Sequence, residues 1–133
     1  MSYLEDSIDW QVVRDVDAWL DAKVSPEYKS QPLAQDWARI TKIAEELGEA
    51  TDKFIAVTGQ NPRKGKSGSI DDVLDELADV AMTAILAMHH FTKNDSVLRE
   101  IFRRKQSFLY QRMIKEQNAP KSAQEQEQHF NLG

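Results

Sequence analysis

The run Leu77-Ala-Asp-Val-Ala-Met-Thr-Ala-Ile-Leu-Ala-Met88 is apolar on nearly every side when wound as a helix. A helix of that kind has to be buried on most sides. In a chain of 133 residues it predicts a central helix shared with its neighbours, including across a subunit interface. The length fits one domain and is enough to bury a core without staples. The sequence has no cysteine, which excludes disulfides and zinc–thiolate sites. Its most apolar stretch, Val80 to Met88, is far shorter than the roughly 20 residues that span a bilayer. The first ten residues, MSYLEDSIDW, lack a basic segment followed by an apolar one, so no secretory signal is read there. A soluble, cytoplasmic protein without membrane attachment is expected. The net charge of −5, from 22 acidic and 17 basic residues, argues against a nucleic-acid partner, which calls for a basic face.

Four segments carry helical periodicity and none reads as a strand. The first runs from about Ile8 to Lys23, with Ile8, Val12, Val16, Trp19 and Leu20 on one face and Asp6 or Ser7 as its cap. Val24 to Leu33, with Pro26 and Pro32, reads as a connection. The second helix runs from Leu33 to Thr58 along a stripe of Ile40, Ile43, Leu47, Ala50, Phe54 and Val57, and ends at Gly59. The loop Gly59 to Gly68 is rich in glycine and base. The third helix starts at Ser69, which forms a capping-box pattern with Asp72, and continues to about Phe91. After a turn at Lys93-Asn94-Asp95, the fourth runs from Ser96 to Glu116, with Val97, Ile101, Phe108 and Met113 among its apolar positions. Residues 1–116 are expected to form a single all-α domain of antiparallel helices resembling a four-helix bundle, and residues 117–133 a polar, flexible tail.

The acids are where chemistry enters. Glu46 and Glu49 are three residues apart and share a helical face, with Glu45 on the adjacent edge; Glu76 and Asp79 repeat the spacing on the next long helix. If the apolar stripes beside them pack together, the four carboxylates converge. Such a cluster is costly unless cations neutralise it. Oxygen ligands alone suit hard divalent ions, so Mg²⁺ or Mn²⁺ is the expected partner, acting on a phosphate chain. Taken alone, Glu45, Glu46 and Glu49 read as a solvated helix edge; that reading fits the third helix less well, where Asp79 sits between Ala78 and Val80 and aspartate is a poor helix-interior residue.

The paired pattern, Glu45-Glu46-Leu-Gly-Glu49 followed by Glu76-Leu-Ala-Asp79, resembles that of the all-α nucleoside triphosphate pyrophosphohydrolases, the MazG-like group. The resemblance covers the second and third helices by motif and the others by layout. It implies Mg²⁺-dependent cleavage of a nucleoside triphosphate between the α and β phosphates, giving the monophosphate and pyrophosphate. It implies that Glu46, Glu49, Glu76 and Asp79 are metal ligands and that Glu45 is a further acid, binding a second ion or holding the attacking water. It implies a homodimer or homotetramer. On the fourth helix, Lys105 and Arg112 match basic positions of the family, and Leu109 stands where related proteins often carry asparagine.

Other residues carry weaker signals. Arg63, Lys64 and Lys66 precede the third helix and suit either a lid over a triphosphate or a plain charged linker. Lys53, four residues after Glu49, reads as its intrahelical ion-pair partner. Trp10 and Trp37 read as core, and His89 and His90 as cations suited to a helix C-terminus. Two alternative functions stay open: phosphoribosyl-ATP pyrophosphohydrolase, and a non-catalytic helical module for oligomerisation or partner binding.

Overall fold

The computed structural model describes residues 7–120, which are helical with no strand among them. The elements are α1 (Trp10–Lys23), α2 (Pro26–Lys29), α3 (Pro32–Thr58), α4 (Ile70–Thr92) and α5 (Asp95–Gln117). Two compact units result, one ending at Asp95 and one beginning at Ser96. No described helix is long and apolar enough to cross a membrane. The tail expected beyond residue 117 lies outside the described residues from position 121 onward.

Local chemistry sets the helix ends. Asp9, rather than Asp6 or Ser7, caps α1: its carboxylate accepts from the backbone N–H groups of Gln11 at 3.0 Å and Val12 at 3.4 Å. The proline-bearing connection contains the single turn α2, with Pro26 at its start, and Pro32 opens α3. Proline is well suited to a first helical position because its missing N–H would be unpaired there anyway. Gly59 ends α3 in the left-handed region, φ 67°, its N–H donating to the Ile55 carbonyl. The capping box forms at α4, where the Ser69 N–H donates to Asp72 at 2.8 Å.

In the first unit α3 packs along α4 more extensively than any other pair, and α1 also lies against α4. Asp36 meets His90 and the Ala56 carbonyl meets the Ser67 N–H, so α3 and α4 run antiparallel. The buried apolar residues of this unit are Trp10, Val13, Ala50, Val73, Ile85 and Ala87.

The buried faces differ from those read by counting apolar residues. On α1 the inward residues are Trp10, Val13 and Asp17, while Val12 and Trp19 are exposed. The single stripe expected on α3 splits. Ala50 is buried and Ile43 and Val57 half-buried, whereas Ile40, Leu47 and Phe54 are exposed. Trp37, expected in the core, is 68% exposed. The exposed set Leu33, Trp37, Ile40, Ala44 and Leu47 falls on a four–three spacing that Phe54 resumes after the polar Thr51, the period of a helix seam that meets another helix. On α4, Ile70, Leu74 and Leu77 continue uncovered in the same way. On α5, Leu98 is buried and Val97, Phe108 and Met113 are exposed.

Candidate functional site

The α3–α4 contact brings acids together from both helices. Glu46, Glu49 and Glu76 each present a carboxylate oxygen within 4.8 Å of the others. Glu46 and Glu76 are half-buried at the helix contact and Glu49 is exposed. Four expected ligands are thus three gathered ones. Asp79, one turn beyond Glu76, is exposed and stands outside the group. Glu45 faces outward, paired with Lys42 at 2.9 Å, and Lys42 also reaches Glu46 at 3.4 Å.

The cluster is electrostatically strained. A hydrogen bond shared with Glu46 and the charge of Glu46, with lesser repulsion from Glu76 and Glu45, raises the Glu49 carboxyl above the usual glutamate range. Among the described residues Lys42 is the one cation within ion-pair distance of this trio, and it sits at the Glu45–Glu46 edge. Lys53 does not pair with Glu49 as expected, and among the described residues no ion pair holds its ammonium. Glu49 leans toward the other acids across the seam. The donor set is therefore three oxygen ligands whose negative charge Lys42 only partly offsets, which fits a hard divalent cation such as Mg²⁺ or Mn²⁺.

The basic loop is more ordered by contacts than a free linker. The Ser67 N–H donates to the Ala56 carbonyl at 2.9 Å, tying the loop to α3. The stem of Lys66 fills the space beside Gly59, where an added Cβ would lie 2.5 Å from Lys66 Cγ. Lys64 approaches Asp52 at 3.7 Å. The Arg63 N–H donates to the Asn61 side chain at 3.1 Å and its guanidinium is exposed. Lys105 and Arg112 lie on α5 within the second unit; both are exposed, and Arg112 is 3.9 Å from Glu116.

A second polar cluster escaped the reading of the sequence. Asp17 is 1% exposed, and its carboxylate meets Arg39 at 2.9 Å, His89 Nδ1 at 2.6 Å and Lys93 at 2.6 Å. Arg39 and Lys93 also bind Asp21, at 2.9 and 2.8 Å. His89 Nε2 lies 3.3 Å from Asp95, which also pairs with Arg14, and His90 Nε2 lies 2.7 Å from Asp36. Burial pushes the Asp17 carboxyl up, but hydrogen bonds from Lys93 and His89 and the charges of Lys93 and Arg39 outweigh it and hold it below the ordinary value. Asp17, Asp21 and His90 are close enough to hold an ion. Two side-chain cations already occupy that role, so the cluster works as an ion-pair network joining α1, α3 and the end of α4. The available signal was an aspartate at the inward spacing between Val13 and Leu20. Counting only apolar residues passes over it.

No family model, no curated protein and no solved structure matches this chain.

Proposed function

We propose that the protein is a divalent-metal-dependent nucleoside triphosphate pyrophosphohydrolase, converting a nucleoside triphosphate and water to the monophosphate and pyrophosphate. The observation that carries the proposal is the convergence of Glu46, Glu49 and Glu76 from two antiparallel helices with too little positive charge beside them. Glu46, Glu49 and Glu76 would hold Mg²⁺, with Asp79 one turn further along α4 as the fourth ligand of this reading. Bound Mg²⁺ supplies positive charge for the phosphate chain and acidifies water. The α3–α4 pairing brings the three carboxylates together from two helices, which supports this reading. Glu45, oriented by Lys42, is the acid assigned to hold the attacking water, and it can take that proton only within hydrogen-bond reach. Arg63, Lys64, Lys66, Lys105 and Arg112 are the candidate substrate contacts. A role in clearing or balancing nucleotide pools in the cytoplasm belongs to the same reading.

Assembly into a homodimer or homotetramer, completing a helical bundle, is part of the proposal. The four–three spaced exposed stripe on α3 and the uncovered Ile70, Leu74 and Leu77 on α4 support it. The same stripe favours a second reading, a non-catalytic oligomerisation module. Pyrophosphate release from canonical and modified nucleoside triphosphates, with phosphoribosyl-ATP in the same panel, separates the readings. The enzyme reading expects Mg²⁺- or Mn²⁺-dependent release from at least one nucleoside triphosphate. Absence of release from all of them, by folded protein, refutes it.

A further inference from the structure

A cavity of about 340 Å³ opens between the C-terminal half of α3 and the basic loop, with Asp52, Lys53, Lys64, Ser67, Gly68 and Asp72 on its walls. It lies on the same helix pair as the acidic trio. Asp52 and Lys53 follow Glu49 by three and four residues, and Asp72 precedes Glu76 by four. The offset is thus one helical turn, about 5.4 Å of axial rise, comparable with the reach of a diphosphate group.

The wall sets two ammonium groups, Lys53 and Lys64, against two carboxylates, Asp52 and Asp72. The Lys53 ammonium has no ion-pair partner among the described residues, and Lys64 is held only by Asp52 at 3.7 Å. Asp72 is held at the start of α4, accepting from the Ser69 N–H at 2.8 Å, and keeps its charge there, so the phosphate is bound from the lysine side of the cavity. Gly68 has φ +76°, and an added Cβ would meet the Asp72 carboxylate at 2.8 Å, so this wall stays free of side chain. Lys66 is not part of it, because its stem is spent against Gly59.

We infer that this cavity binds the terminal, leaving end of a polyphosphate chain through Lys53 and Lys64, with Asp52 as the intramolecular ligand displaced when the phosphate enters. The inference rests on the nucleotide reading for its biological substrate, but the binding itself can be measured apart from catalysis. It replaces a closing lid with a preformed pocket, since the loop is already tied to α3 through Ser67.

The test is calorimetric titration of the full chain with inorganic tripolyphosphate in the presence of Mg²⁺. The variants are Lys53→Gln, Lys64→Gln and Asp52→Asn, each checked for unchanged helix content. Each lysine variant is expected to bind about tenfold or more weakly, the loss of one charge-assisted contact. Asp52→Asn is expected to bind more tightly, because it frees Lys64; general damage to the fold would not give that opposite sign. In turnover, the lysine variants should lower kcat/KM for a triphosphate, because charge grows on the leaving end in the transition state, and should narrow the preference for a nucleoside triphosphate over its diphosphate. Equal tripolyphosphate affinity in wild type and lysine variants overturns the inference even if the protein hydrolyses nucleotides. No tripolyphosphate binding by wild type overturns it too. Lysine-dependent binding without hydrolysis of any nucleotide upholds the pocket and removes the nucleotide reading.

Discussion

Asp17 Oδ2 lies 2.6 Å from Lys93 Nζ, a contact that ties the middle of α1 to the residue that ends α4. Lys93 sits in the left-handed region at φ 53°, where a residue other than glycine is uncommon. Its side chain explains why glycine is not there, because it bridges Asp17 and Asp21. Removing the Asp17 charge leaves the buried donors of Arg39 and His89 short of an acceptor, at a cost of about 1–3 kcal/mol, while Lys93, half exposed and still paired with Asp21, adds little. Asp17→Asn is therefore expected to lower stability by that order in urea unfolding at neutral pH.

The same residue sets an acid limb. The folded pKa of Asp17 is below its ordinary value of 3.8, so its stabilisation is full above that value and is lost as pH falls through the lowered one. Lys93 gives the opposite limb. Burial pushes its ammonium down, but hydrogen bonds to Asp17 and Asp21 raise it above 10.5, so its contribution is lost as pH rises through the raised value. Thermal unfolding from pH 2 to 11 should show both limbs in wild type and a flatter acid limb in Asp17→Asn.

Two glycines should respond in opposite directions to alanine. Gly48 lies inside α3 with open space where a Cβ would go. Gly48→Ala is expected to stabilise by about 0.5–1 kcal/mol, because alanine loses less backbone freedom in a helix. Gly59→Ala meets both a left-handed backbone and the Lys66 stem at 2.5 Å, and should destabilise by about 1–2 kcal/mol. Urea midpoints of the pair check this.

The acidic trio carries its own sign. The Glu49 carboxyl is raised by Glu46 first and Glu76 and Glu45 next. Repulsion thus weakens the fold as pH rises through the raised value and is relieved below it. Without divalent ion, Glu49→Gln should leave the melting temperature at pH 7 unchanged or slightly higher. Mg²⁺ should raise the wild-type melting temperature by mass action and leave that of Glu49→Gln unmoved. An equal Mg²⁺ response in both would remove Glu49 from the metal site.

The exposed stripe predicts assembly. Wild type should sediment well above its chain mass of 15.2 kDa, and Leu47→Glu should return it toward that mass. Sedimentation of wild type as a single chain would leave the stripe on α3 unexplained.

The sequence made some of this structure readable and hid the rest for identifiable reasons. Gly59 and the Ser69–Asp72 box signalled helix ends because capping is a local matter. Burial was harder, since it depends on partners that a single helix does not contain. Ile40, Leu47 and Phe54 carry the same apolar signal as Ile43, Ala50 and Val57, yet only the latter set is covered. Trp37 failed for that reason. Asp17 stayed hidden because a buried acid counts as polar, and its partners, Arg39, His89 and Lys93, lie 22, 72 and 76 residues away. Glu46, Glu49 and Glu76 were legible through spacing; that Asp79 would stand apart was not.

The most direct test of the central claim is the Mg²⁺-dependent release of pyrophosphate from a panel of nucleoside triphosphates by wild type and Glu49→Gln. The account predicts equimolar monophosphate and pyrophosphate from wild type with at least one substrate. It also predicts at least a hundredfold loss, on the order of 3 kcal/mol of transition-state stabilisation, in a Glu49→Gln variant of unchanged helix content. Undiminished turnover by that variant, or no release by wild type with either Mg²⁺ or Mn²⁺, would contradict it.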